Sequence, residues 1–107
     1  MPIMEISIVP LGTRTASVSP YVAKAIKVLQ NNRGVRYQLT SMGTIIEANS
    51  VGQLLDIAGR MHKAVLSSKI KRVVTAIKID DRRDKKLTAE GKVKSVQKDL
   101  KVLNGRL

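Results

Sequence analysis

The sequence predicts an α+β fold, a ferredoxin-like βαββαβ sandwich with an additional C-terminal helix. Three observations predict it. Two-residue alternation and helical spacing succeed one another in the order strand, helix, strand, strand, helix, strand, helix. Each half reads strand–helix–strand, which within one sheet requires right-handed crossovers. No linker, repeat or low-complexity stretch interrupts the 107 residues, so residues 1–107 are expected to form a single domain.

The elements follow in order. "IMEISIVPLG" alternates, with Met4, Ile6 and Ile8 on one face and Glu5, Ser7 and Val9 on the other, the signature of a strand. "RTAS" is polar and loop-like. Ser19-Pro20 is expected to start the first helix, with Ser19 as N-cap and proline at the first helical position. Val22, Ala25, Ile26 and Leu29 follow at helical spacing, and Gly34 is expected to stop the helix. Val35, Tyr37 and Leu39 give a second strand face, and "TSMG" connects tightly to a third strand at Thr44 to Ala48. Ser50 and Gln53 form a capping box. Beyond it, Val51, Leu54, Leu55, Ala58, Met61, Val65 and Leu66 make an amphipathic stripe. "KRVVTAIKID" is the longest strand, with Val73, Thr75, Ile77 and Ile79 on one face, and it is expected at a sheet edge. "DDRRDKK" breaks the apolar pattern. Thr88 then opens a last helix with apolar positions at Val93, Val96, Leu100 and Leu103.

Composition narrows the function. The chain has no Cys, Phe or Trp, and Tyr21 and Tyr37 are its only aromatics. Without cysteine there are no disulfides, thiolate metal sites or cysteine nucleophiles, which fits a reducing compartment. No signal-peptide pattern opens the chain and no apolar run approaches the roughly 20 residues that span a bilayer, so a cytoplasmic location is expected. The net charge of +12 is unevenly spread. Residues 1–59 carry five basic and three acidic residues, and residues 60–107 fifteen and five. A basic face toward an anionic partner and a solvated lysine-rich surface both fit this asymmetry.

Enzyme chemistry finds little support. His62 is the only histidine, and it lies in the second helix beside the apolar stripe, where a lone histidine is more often a surface or boundary residue than a general base. No cluster has metal-ligand spacing, and no glycine-rich phosphate loop is present. A non-catalytic protein without a cofactor is expected. Nucleic-acid binding is the competitor, because the RNA-recognition module shares this element order. That module stacks bases on sheet aromatics. Here Tyr37 is the only strand aromatic, so only charge on the C-terminal half is left to hold phosphates.

Two helices on one sheet face leave the other face bare. Ser7, Val9, Ile45, Glu47, Val74 and Ala76 share one strand face, which is too apolar to be fully wet. Either the last helix or a second copy of the chain is expected to cover it. Glu47 stands out there as a carboxylate in the middle of an aliphatic strand, either pointing at water or awaiting a cationic or hydrogen-bond-donating ligand. Thr44 follows Gly43, which permits close backbone approach, and its hydroxyl is a candidate for the same pocket. Ser7 is a candidate from the first strand. Thr15, Ser17 and Ser19 form a candidate rim where that strand hands over to the helix. Tyr37 either stacks on a heteroaromatic ligand or packs in the core.

The segments "ISIVPLGT", "SVSPYVAKAIKVL", "MGTIIEA" and "IKIDDRRDKKLTAEGKVKSV" resemble, in order and spacing, the small thiamine-binding protein family over essentially the whole chain. The resemblance implies a ferredoxin-like fold assembled as homodimers or homotetramers. It also implies a site for thiamine, or its hydroxymethylpyrimidine part, near the sheet and a subunit interface, without catalysis. Ser41 departs from the family pattern, where proline often precedes Met-Gly-Thr. An aminopyrimidine presents adjacent ring nitrogen and amine groups that pair well with a carboxylate such as Glu47. A neutral pyrimidine, or a phosphorylated form meeting Arg82 or Arg83, answers the basic charge better than a free cation does.

Overall fold

The computed structural model describes residues 1–105. Seven elements follow in chain order: β1 (Ile3–Leu11), α1 (Ser19–Gln30), β2 (Arg36–Leu39), β3 (Thr44–Glu47), α2 (Val51–Val65), β4 (Arg72–Asp80) and α3 (Ala89–Gly105). The strands form one antiparallel sheet in the order β2-β3-β1-β4. This is the ferredoxin-like arrangement the sequence predicts, with β4 at an edge.

Register fixes which residues share a face, because directly opposed residues in antiparallel strands project to the same side. Met4 lies across from Ile46 and Ile79, and Ile6 across from Thr44 and Ile77. This inner face packs against the two crossover helices. Met4, Ile6 and Ile46 are fully buried with Leu29 of α1 and Leu54, Ile57, Met61 and Val65 of α2. Each such side chain contributes about 1.5–3 kcal/mol on burial. The outer face carries Ile3, Glu5, Ser7 and Val9 of β1, paired with Asp80, Lys78, Ala76 and Val74 of β4.

Local signals place most helix ends. Ser50 Oγ accepts from the Gln53 amide at 3.1 Å. Gln53 Oε1 reaches back one residue past the cap, accepting from the Asn49 amide at 3.0 Å. The buried stripe of α2 is rotated from its expected phase: Ile57 is buried, while Leu55 and Leu66 are exposed. Ser19 is not the N-cap of α1. Val18 holds that position without a side-chain bond, its carbonyl accepting from the Tyr21 and Val22 amides. Nor does Gly34 stop the helix. Asn32 closes it, its amide donating to the Leu29 carbonyl and its Nδ2 to Val28, and Gly34 (φ 79°) turns the chain into β2. His62 Nδ1 meets Thr75 Oγ1 at 2.6 Å, a polar tie between α2 and β4.

Thr88 caps α3, its Oγ1 accepting from the Gly91 amide at 3.0 Å. This helix buries no side chain. The molecule is correspondingly elongated, 56 Å along its longest axis, with a radius of gyration of 16.5 Å. A chain of this length packed as a sphere-like domain has about 13 Å. Among the described residues no helix is long and apolar enough to cross a membrane.

Two glycines separate close approach from open space. A Cβ on Gly43 would sit 2.9 Å from the Ile6 carbonyl oxygen, whereas one on Gly59, inside α2, meets nothing within 4 Å. Urea unfolding is therefore expected to show Gly43→Ala losing about 1–3 kcal/mol through overpacking against backbone. Gly59→Ala should gain up to about 1 kcal/mol through helix propensity.

Candidate functional site

The outer sheet face and the first turns of α3 enclose a cleft of about 730 Å³. Strand pairing builds its floor. Glu47, the last residue of β3, lies directly across from Ile3 of β1 and Arg36 of β2. Ile45 and Gln38 continue the floor, while Lys78 and Asp80 of β4 flank it. Ala89, Lys92, Val93 and Gln97 of α3 form the remaining wall. The last helix thus overhangs one end of the outer face. Val9, Leu11 and Val74, at the other end, stay exposed.

Glu47 is 7% exposed. Its Oε1 accepts from the Ala89 amide at 2.9 Å, so one oxygen ties the start of α3 to the sheet. The positive end of the helix dipole favours a carboxylate there. Its Oε2 is buried and has no hydrogen-bond partner. Arg36 lies directly across in register but makes no ion pair with Glu47; it stands near Glu90 instead and helps hold that carboxyl below its usual range, mainly an effect of the bonded Lys94. A buried carboxylate oxygen without a donor carries a desolvation cost on the order of 1–3 kcal/mol, more when charged.

The lining is balanced in charge. Glu5, Glu47, Asp80 and Glu90 oppose Arg36, Lys78, Lys92 and Lys94. Six of these meet in three pairs: Lys92 with Asp80, Lys94 with Glu90 at 2.8 Å, and Lys78 with Glu5 at 3.9 Å. Four of the chain's eight carboxylates thus line one cleft of a protein with net charge +12. Among the described residues no group of three His, Cys, Asp or Glu is placed to hold a metal ion.

The structure gathers few of the residues that the sequence singles out. Glu47 lines the cleft. Thr44 does not: it is three residues from Glu47 in the same strand, so alternation turns it to the inner face, where it is buried across from Ile6. Ser7 shares the outer face but lies four residues along β1 from the Glu47 level, about 13 Å away. Thr15, Ser17 and Ser19 lie beyond the far end of β1, a further four residues on, and form no rim. Thr15 Oγ1 accepts from the Ser17 amide in a local turn instead. Tyr37 borders the cleft, yet it pairs with Ile46, which assigns its side chain to the inner side of the edge strand. Sequence reasoning missed Arg36, Gln38, Lys78, Asp80, Ala89 and Lys92, which only strand register and the docking of α3 bring to Glu47.

Residues 4–97 match the profile of the family described as Thiamine-binding protein. The UPF0045 protein YqgV of Bacillus subtilis is 44% identical over 103 residues, covering 94% of this chain and 98% of its own. The hypothetical protein MJ1052 of Methanocaldococcus jannaschii has a similar structure, with a TM-score of 0.81 and 38% identity, covering 90% of this chain and 95% of that one. A candidate thiamine biosynthesis/salvage protein of Thermotoga maritima superposes with a TM-score of 0.71 over 89% of this chain and 97% of its own. At 20% identity that likeness carries the fold alone.

If Glu47 anchors α3, Glu47→Ala should speed hydrogen exchange in the first turn of α3 by about tenfold or more, the scale of one lost charged hydrogen bond. Exchange in β1 and α2 should barely change. Mass-spectrometric exchange with peptide resolution checks this.

Proposed function

This chain belongs to the thiamine-binding protein family, and on that premise we propose that it is a non-catalytic module binding thiamine, or a related hydroxymethylpyrimidine compound, in the cleft beside Glu47. The observation that carries this reading is the partnerless Glu47 Oε2 at the edge of a charge-balanced cleft. An aminopyrimidine supplies what that oxygen lacks, an N–H donor that forms a charge-assisted bond. Ile3, Ile45 and Val93 supply apolar surface for a heteroaromatic ring. Oε2 is sealed from water, so a donor reaches it only as a neighbouring group yields. The wall with least packing to lose is the first turn of α3, since that helix buries no side chain. The family description supports the same ligand class.

The local balance answers the objection that a basic protein repels a cation. Coulomb interactions beyond about 8–10 Å are largely screened at physiological salt. A ligand inside the cleft therefore senses a locally neutral lining more than the distant lysines. The sheet face on which an RNA-recognition module stacks bases carries aliphatic and charged residues here, with Tyr37 assigned to the other side. A small molecule suits this surface better than an oligonucleotide.

The reading includes a homo-oligomer. Val93, Val96, Leu100 and Leu103 recur at alternating spacings of three and four along α3 and are each more than half exposed. Helices in proteins draw most of their stability from packing an apolar face, and α3 buries no side chain. The exposed Val9, Leu11 and Val74 of the outer face add a second apolar patch. A second copy that covers both makes the assembly self-complementary.

Calorimetric titration with thiamine and with hydroxymethylpyrimidine tests the ligand. Binding tighter than millimolar is expected. Glu47→Gln should weaken it by roughly 1.5–3 kcal/mol, about ten- to 150-fold. Unchanged affinity in that variant removes Glu47 from the site. For assembly, light scattering is expected to give a multiple of the 11.7 kDa chain mass. Leu100→Lys should reduce it, by burying a charge in the apolar contact.

A further inference from the structure

We infer that the cleft continues into an anion subsite on the loop entering α3, and that the ligand is a phosphate ester of the cation proposed above. This rests on that reading. A second groove of about 510 Å³ lies between the end of β4 and the start of α3. It meets the Glu47 cleft at one place, the Asp80–Lys92 ion pair, which lines both. Their chemistry differs. The Glu47 cleft is balanced, whereas the groove is lined by Arg82, Lys85, Lys86 and Lys92 against Asp80 alone.

Not all of these cations are available. Arg82 is held by both oxygens of Asp84, with Nη2 to Oδ2 at 2.8 Å, and that pairing lowers the Asp84 carboxyl to about 2. Arg82 therefore already has a carboxylate partner. Lys92 meets Asp80. Lys85 and Lys86 make no ion pair among the described residues, and both line the groove.

Local contacts order the chain beneath them. Leu87, 6% exposed, pins the next residue, and Thr88 caps α3 through the Gly91 amide. Gly91 lets that cap close, because a Cβ there would stand 2.8 Å from Thr88 Oγ1. Two free ammonium groups on an anchored loop, beside a hydroxyl-bearing cap, suit a phosphoryl group as point charges. An aminopyrimidine donor at Glu47 and a phosphoryl group across the Asp80–Lys92 divide would complement both compartments at once. Free thiamine fills only the first.

Calorimetry on the intact chain at about 50 mM salt decides, with thiamine, thiamine monophosphate, thiamine diphosphate and inorganic pyrophosphate as probes. The monophosphate and diphosphate should bind at least tenfold tighter than thiamine, and inorganic pyrophosphate more weakly than either ester. In Lys85→Ala/Lys86→Ala that advantage should fall to less than threefold, with thiamine affinity unchanged. Lys24→Ala/Lys27→Ala, which removes the same charge from α1, should keep the advantage and so exclude a general effect of the protein's field. Equal affinity for thiamine and its esters overturns the subsite while leaving the vitamin reading intact. So does an advantage that survives loss of Lys85 and Lys86, or inorganic pyrophosphate matching the esters. Failure of every thiamine compound to bind overturns both.

Discussion

The organisation of this protein turns on a carboxylate that is half satisfied. Glu47 ends the central strand β3, where the sheet's outer face meets the start of α3, and only one of its oxygens has a donor. With the Lys92–Asp80 pair, that bond connects an otherwise loosely packed helix to the sheet. The other oxygen leaves an unmet demand for a hydrogen bond beside a cleft. Structural use alone does not account for it, since an apolar residue or a fully bonded acid at this position would avoid the cost. Sites that bind often keep such a locally unfavourable feature, which the rest of the fold tolerates.

Charge distribution works at two ranges. Over the whole molecule the lysines and arginines dominate. At the cleft, half of the carboxylates are concentrated and mostly paired, so the immediate surroundings are neutral. A net charge read from composition therefore describes solubility and long-range encounter. It says little about what a particular cavity holds. The groove past Asp80 restores the positive balance within a few residues, so two opposite preferences stand side by side.

Much of the fold was legible because it depends on local periodicity. Alternation in β1 and β4, the Ser50 cap and the Thr88 start appear in the structure as expected, while Gln53 answers the Asn49 amide in place of that of Ser50. Ser19 looked like a cap because serine precedes proline, but the backbone at Val18 already closes the first turn. Leu55 and Ile57 are equally apolar, and only the direction of approach of the sheet decides which is buried. Glu47 was legible as a carboxylate out of place in an aliphatic strand. Thr44 was grouped with it by sequence proximity, although strand alternation puts the two on opposite faces. The rest of the cleft comes from β1, β2, β4 and α3, residues distant in sequence whose meeting depends on register and helix docking. Nothing local in Arg36, Lys78 or Ala89 announces a shared site.

The role of this site turns on what satisfies Glu47 Oε2. A crystal structure of the chain grown with saturating thiamine measures this directly. A nitrogen of the aminopyrimidine is expected about 2.7–3.0 Å from Oε2, a charge-assisted hydrogen bond, with the ring against Ile45 and Val93. Thiamine bound elsewhere, with Oε2 still lacking a donor or paired instead to Arg36 of the same chain, would contradict it.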